Sequence, residues 1–216
     1  MRAEAVRQVG HHELHVLGTV RGLASEEERV AAAFDRLEPA GVALGVAPED
    51  LEGLRSVDGG AAYEHEFSEA DDIYAHYLQQ FGPVALPPRD LVAAVRIARE
   101  RGVPVATLDL PEVQYVETFT GAVSGWQLLL YNRRVRKLAR KPPVAEDALA
   151  FHLWWDAQIR RLGGFDRLER AREAHMAAEL GRLALPAGRV LVLVEAARVA
   201  GMVAALDNPT QRIDAP

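Results

Sequence analysis

Cysteine is absent from all 216 residues. That excludes disulfides, thiolate metal sites and a cysteine nucleophile, and it suits a reducing compartment. Lysine occurs only at Lys137 and Lys141, so the basic side chains are otherwise arginines. No apolar stretch followed by a small-residue cleavage site stands near MRAEAVRQVGHHELHVLG, and export is not expected. Long hydrophobic runs are missing too. The longest uncharged window, 118–132, is short and polar for a membrane span. The expectation is a soluble, cytoplasmic protein without a transmembrane segment. Neither a GxGxxG nor a phosphate-loop motif occurs, and Ser56 and Ser124 lack the Gly-x-Ser-x-Gly setting of a serine hydrolase. The 31 acidic side chains exceed the 25 basic ones, giving a net charge of −6. The molecule as a whole repels a phosphate backbone, so nucleic acid is not an expected partner.

What remains is ordinary for a globular chain: 49% hydrophobic and 26% charged residues, enough to bury a core as one domain over 1–216. Four β-branched or aliphatic runs, 13–20, 41–46, 103–108 and 189–194, read as buried parallel strands. Helical patterns follow each, at 25–37, 48–54, from 111 onward and at 196–206, and another at 90–101 precedes the third strand. Ser25 with Glu28 spells a capping box. An acidic segment, 58–80, ends in a helix. Between the third and last strands lies a helical insertion, about 121–184, broken at Pro142-Pro143 and Gly163-Gly164 into helices near 122–140, 146–162 and 165–184. The predicted fold is α/β: a central, mostly parallel sheet of about four strands covered by helices.

Three motifs, HVLGTVRG, VALGVAPEDLEGL and RVLVLVEAARVAGM, stand at the ends of the first, second and last strands. AREAHMAAEL lies on the helix before the last strand. In this order, from Val16 to Leu206, the chain resembles the TraB/PrgY family, related to Tiki proteins and the erythromycin-esterase-like group. That resemblance implies Gly-Thr-x-His after the first strand, Glu in the second, Gly-His after the last, and a metal-dependent peptidase activity in Tiki-like members. Here Arg21, Gly45 and Arg198 stand at those positions, and Ala171, Arg172 and Glu173 replace the Glu-Arg-Asp expected ahead of Met176.

Arginine has no lone pair to offer a metal. A guanidinium near a cation is repelled by about 4 kcal/mol per unit-charge pair at intermediate dielectric. The resemblance therefore implies a noncatalytic protein without a cofactor, in which a former metal site has become a pocket for a small anion or peptide. Thr19, Arg21, Asp109, Glu195 and Arg198 are its candidate residues. Open α/β sheets bind ligands at the carboxyl ends of their strands, and Arg198 falls in the first turn of a helix. The alternative at these residues is an internal ion-pair cluster in which Glu195 and Asp109 neutralise the arginines.

Other constellations carry competing readings. Glu64, Glu66, Asp72 and His76 could form a relocated hydrolase site, Asp72 and His76 being four apart on one helical face. They, and His11, His12 and His15, read equally as solvated surface. Phe151, His152, Trp154 and Trp155 predict a packing anchor or a subunit contact, which would fit a homo-oligomer. Arg133, Arg134, Arg136, Lys137, Arg140 and Lys141 follow Trp126 to Tyr131, reading as a core helix with a basic, solvated end or as an interaction module that contacts an anionic membrane, nucleic acid or a partner. If the ligand positions are truly lost, the purified protein carries no stoichiometric zinc, manganese or cobalt by elemental analysis, and chelators leave its Tm unchanged. Near-stoichiometric metal would favour the hydrolase instead.

Overall fold

A computed structural model describes residues 3–59, 68–140 and 144–208. Its centre is one five-stranded sheet in the order β1-β2-β5-β3-β4. The strands are β1 (Glu4–Val9), β2 (His12–Thr19), β3 (Gly41–Leu44), β4 (Val105–Thr107) and β5 (Gly188–Glu195). Strands β2, β5, β3 and β4 are parallel, and they fall on the four predicted runs.

The fifth strand, β1, is an antiparallel edge paired with β2 and was not anticipated. Its sequence, EAVRQV, alternates exposed and half-buried positions, the signature of a one-sided edge rather than a buried run. Gly10, at φ 56, supplies the left-handed turn that joins it to β2.

Helices cover both faces. Residues of β5 alternate: Leu191 and Leu193 pack under α1 (Glu26–Leu37), α2 (Pro48–Asp58) and α4 (Arg89–Glu100), while Val190, Val192 and Val194 pack under α8 (Gly163–Leu180) and α9 (Ala196–Asp207). A continuous apolar run is what a strand buried on both faces requires.

A third cluster joins α3 (Glu69–Leu78) to α6 (Gly125–Ala139) and α7 (Ala148–Arg160) through Tyr74, Leu78, Val135, Phe151 and Trp155. The aromatic group on α7 is thus a packing anchor: Phe151 is fully buried and stacks on Tyr74 at 5.3 Å. Helix α5 (Glu112–Ala122) follows β4, so four helices separate β4 from β5.

Local signals did not all act as their spelling suggests. Ser25 precedes α1 but makes no capping bond, because its own dihedrals are already helical. Carbonyls of the preceding turn take the orphan amides instead, Leu23 O from Glu26 at 3.2 Å and Ala24 O from Glu27 at 3.3 Å. Working capping boxes occur at Ser68 with Asp71 and Ser124 with Gln127, where the Ser is extended. The helical block breaks where predicted: α7 ends at Arg160, and Gly163-Gly164 opens α8. Gly164 is buried against α6, and a Cβ there would lie 2.2 Å from Gln127 Oε1. Among the described residues no helix is long and apolar enough to cross a membrane.

Candidate functional site

The register aligns the carboxyl ends of the parallel strands. Thr19 pairs with Glu195, and Leu44 lies beside both Leu193 and Thr107. Side chains just past these ends therefore meet in one place, a cleft of about 610 Å³. Thr19, Gly45, Asp109 and Glu195 form its floor; α2, α3 and the start of α4 form its walls. That volume lies within the range of small-molecule sites.

Two arginines share one carboxylate of this floor, and the expectation that both would line the pocket is corrected: Arg21 lines the cleft, whereas Arg198 is buried behind it. Glu195 ends β5 and precedes α9, so its side chain stands between the strand ends and the first turn of the helix. Its Oε1 lies 3.6 Å from Arg21 Nε, and its Oε2 lies 3.6 Å from Arg198 Nε. Arg198 is buried in that first turn, an unfavourable end for a cation. Besides Glu195 it pairs with Glu169 on α8. Burial pushes the Arg198 pKa down to about 10, which still leaves it charged at neutral pH. Stripping a partner from a buried pair costs about 3–5 kcal/mol, so the carboxylates are a structural requirement.

Arg21 is different. Its side chain is 43% exposed at the cleft wall. Nη2 donates to Asp71 at 3.0 Å, and the guanidinium sits over the Tyr74 ring at 5.4 Å. Burial opposes its charge, but Glu195 and then Asp71 outweigh that and hold its pKa above the usual value. Asp71 is held below its own ordinary range: burial pushes it up, while the Ser68 hydroxyl and Arg21 more than compensate.

Asp109 makes no ion pair with either of these arginines, although its charge is the strongest of those that favour the ionised form of Arg198. It pairs with Arg172 of α8, whose Nε donates at 3.2 Å, and it accepts a bond from the Leu110 amide at 2.9 Å. Arg172 also lies over the Tyr115 ring at 5.5 Å. The expectation that Asp109 would neutralise Arg21 or Arg198 by direct pairing is thus corrected: the nearest guanidinium comes from the insertion. Gly45 marks the place where the resemblance expects Glu. A Cβ there would stand 2.9 Å from Val194 Cγ1, so a longer side chain needs β5 to yield.

Two further groups at the floor escaped sequence reasoning. Asp90, in the first turn of α4, is 2% exposed; Thr19 donates its hydroxyl to Oδ2 at 2.6 Å, and Oδ1 has no hydrogen-bond partner among the described residues. Burial, only partly offset by Thr19, raises its pKa. Tyr74 and His152 share a buried hydrogen bond at 2.8 Å, and burial lowers the His152 pKa, favouring neutral imidazole. A first-turn Asp reads in sequence as a helix-dipole residue, and a His between Phe151 and Trp154 as core. Neither carries a local signal of the cleft.

The relocated hydrolase set does not assemble among the described residues. Asp72 and His76 are exposed on α3, whereas Asp71 and Tyr74 of that helix face the cleft; Glu64 and Glu66 lie outside the described residues. Among the described residues, no three His, Asp or Glu side chains are grouped so as to hold a metal ion.

Asp90 yields a test with a definite sign. Its folded pKa lies above the ordinary value of 3.8, so between the two values the folded state binds more protons than the unfolded. Ionising Asp90 therefore removes stability as pH rises through that window. The expected outcome for Asp90→Asn is a higher Tm at neutral pH, by about 0.5–2 kcal/mol of stability, with the gain shrinking as pH falls toward that value. Melting curves across pH check this; a gain independent of pH would show that ionisation is not the cause.

No family model matches the chain, and no curated protein matches it.

Proposed function

We propose that this protein is a noncatalytic binder with a TraB/Tiki-like layout, which holds a small ligand bearing an anionic group in the cleft at the strand ends. The single observation that carries this reading is Arg21. Of the cleft-lining Arg21 and Arg172 it is the more exposed, 43% of its side chain against 19%, and its Nη1 donates no hydrogen bond among the described residues. A planar guanidinium already fixed by Asp71, Glu195 and Tyr74 is preorganised to meet a carboxylate or phosphate. Arg198 lies buried behind it, ion-paired to Glu169 and Glu195.

The wall limits which anions fit. Glu195 and Asp71 flank Arg21, and Glu49 and Asp50 line the α2 side. A dianion meets these carboxylates unfavourably, so a monoanionic group on an otherwise neutral or partly apolar ligand suits the cleft best; Val46, Leu54, Val84 and Leu91 supply the apolar lining. A reducing, cytoplasmic setting is part of the same proposal, resting on the absence of cysteine.

The test is anion-dependent thermal stabilisation at constant ionic strength. Acetate and phosphate, exchanged for chloride, are expected to raise the Tm of the wild type, acetate at least as strongly as phosphate. Arg21→Gln is expected to remove the response while keeping the fold, since Asp71 and Glu195 both remain partly solvated. Undiminished stabilisation in Arg21→Gln would contradict an anion contact at this residue.

A further inference from the structure

Helix α6 carries a surface that neither the core nor the cleft uses. Its inner side, Val135 and Leu138, packs into the aromatic cluster around Tyr74 and Phe151. Its outer side is one stripe: Trp126, Leu129, Arg133, Arg136, Lys137 and Arg140 recur at helical spacing within an arc of about 100°. Trp126 is 68% exposed and Leu129 61%. The sequence suggested a core helix with a solvated basic end, yet the apolar half of the stripe is solvated too.

The cations on the stripe are unmatched. Arg133, Arg136, Lys137 and Arg140 make no ion pair among the described residues, and α6 holds no acidic side chain. Arginines elsewhere in the chain are repeatedly paired, as Arg160 is to Asp156 and Arg99 to Asp58. A chain of net charge −6 thus concentrates unpaired positive charge along one helix face, directly beyond an exposed indole.

We infer that the outer face of α6 docks on an anionic lipid surface, with Trp126 and Leu129 at the level of the headgroups and the four cations against their phosphates. Both halves of the stripe select this occupant. Basic residues alone suit any polyanion, but Leu129 beside Trp126 needs an apolar medium, which a bilayer interface offers and a phosphate backbone does not. A stripe about 21 Å long lies flat on the surface, consistent with the other face being committed to the protein core. Each cation near an anionic bilayer strengthens partition several-fold, so four together account for a factor between about a hundred and a thousand.

Cosedimentation of the full chain with vesicles tests this. Vesicles of phosphatidylcholine and phosphatidylglycerol in equal parts are expected to retain the protein at low salt, and phosphatidylcholine alone to retain little. Replacing Arg133, Arg136, Lys137 and Arg140 with Gln is expected to weaken partition at least about a hundredfold. Leu129→Ser with Trp126→Ser is expected to weaken it by about tenfold or more with the charges intact. Circular dichroism verifies that both variants stay folded, which is expected because every substituted side chain is exposed. Trp126→Phe removes the fluorescence blue shift that anionic vesicles induce in the wild type. Equal binding to both vesicle types, no binding to either, or tighter binding to duplex DNA or RNA than to anionic vesicles would overturn the inference. So would unchanged partition in either multiple variant.

Discussion

Charge placed at the ends of buried strands has to be neutralised by something close by, and in this protein the neutralising group is Glu195. Four parallel strands end in one row, and the loop after β2 and the first turn of α9 bring Arg21 and Arg198 to either side of Glu195. Two guanidiniums there without a counter-charge would cost several kcal/mol, more than half the stability of a marginal domain. Glu195 serves both, one oxygen to each. Asp71 and Glu169 take the remaining load, and in doing so tie α3 to the end of β2 and α8 to α9.

The rest of the site follows from that arrangement. With Arg198 held inward by Glu169 and Arg172 committed to Asp109, Arg21 is the more exposed arginine at the cleft, braced by Asp71 and by the Tyr74 ring. Tyr74 is in turn fixed by His152 and stacked on Phe151, so the third apolar cluster sets the position of a charged group at the cleft mouth. Asp109 and Arg172 close the far side as a separate pair. Asp90 stands apart as a buried carboxylate with one oxygen unmatched among the described residues, a local destabilisation.

Much of this was legible in the sequence, and the limits have physical reasons. Runs such as VLVLV in β5 announce strands buried on both faces, because no other element buries five consecutive aliphatic residues so efficiently. Thr19, Arg21, Glu195 and Arg198 could be brought together on paper because each sits at the end of a strand or the first turn after one, and parallel strands share an end. Asp71, Asp90, Glu169 and Tyr74 could not. They reach the cleft from helices whose packing is set by tertiary contact, and nothing in their neighbours' spacing reports it. Strand β1 was missed for a related reason: an edge strand with Val6 on its exposed face and Arg7 on its half-buried one has a weak local pattern and exists because β2 offers it a partner.

The central claim is that Glu195 is energetically shared between Arg21 and Arg198. Two double-mutant cycles in urea unfolding test it most directly, one combining Glu195→Gln with Arg21→Gln and the other combining it with Arg198→Gln. The account predicts a coupling energy of at least about 0.5 kcal/mol in each cycle, larger for buried Arg198 than for Arg21. Additivity in both cycles would contradict it.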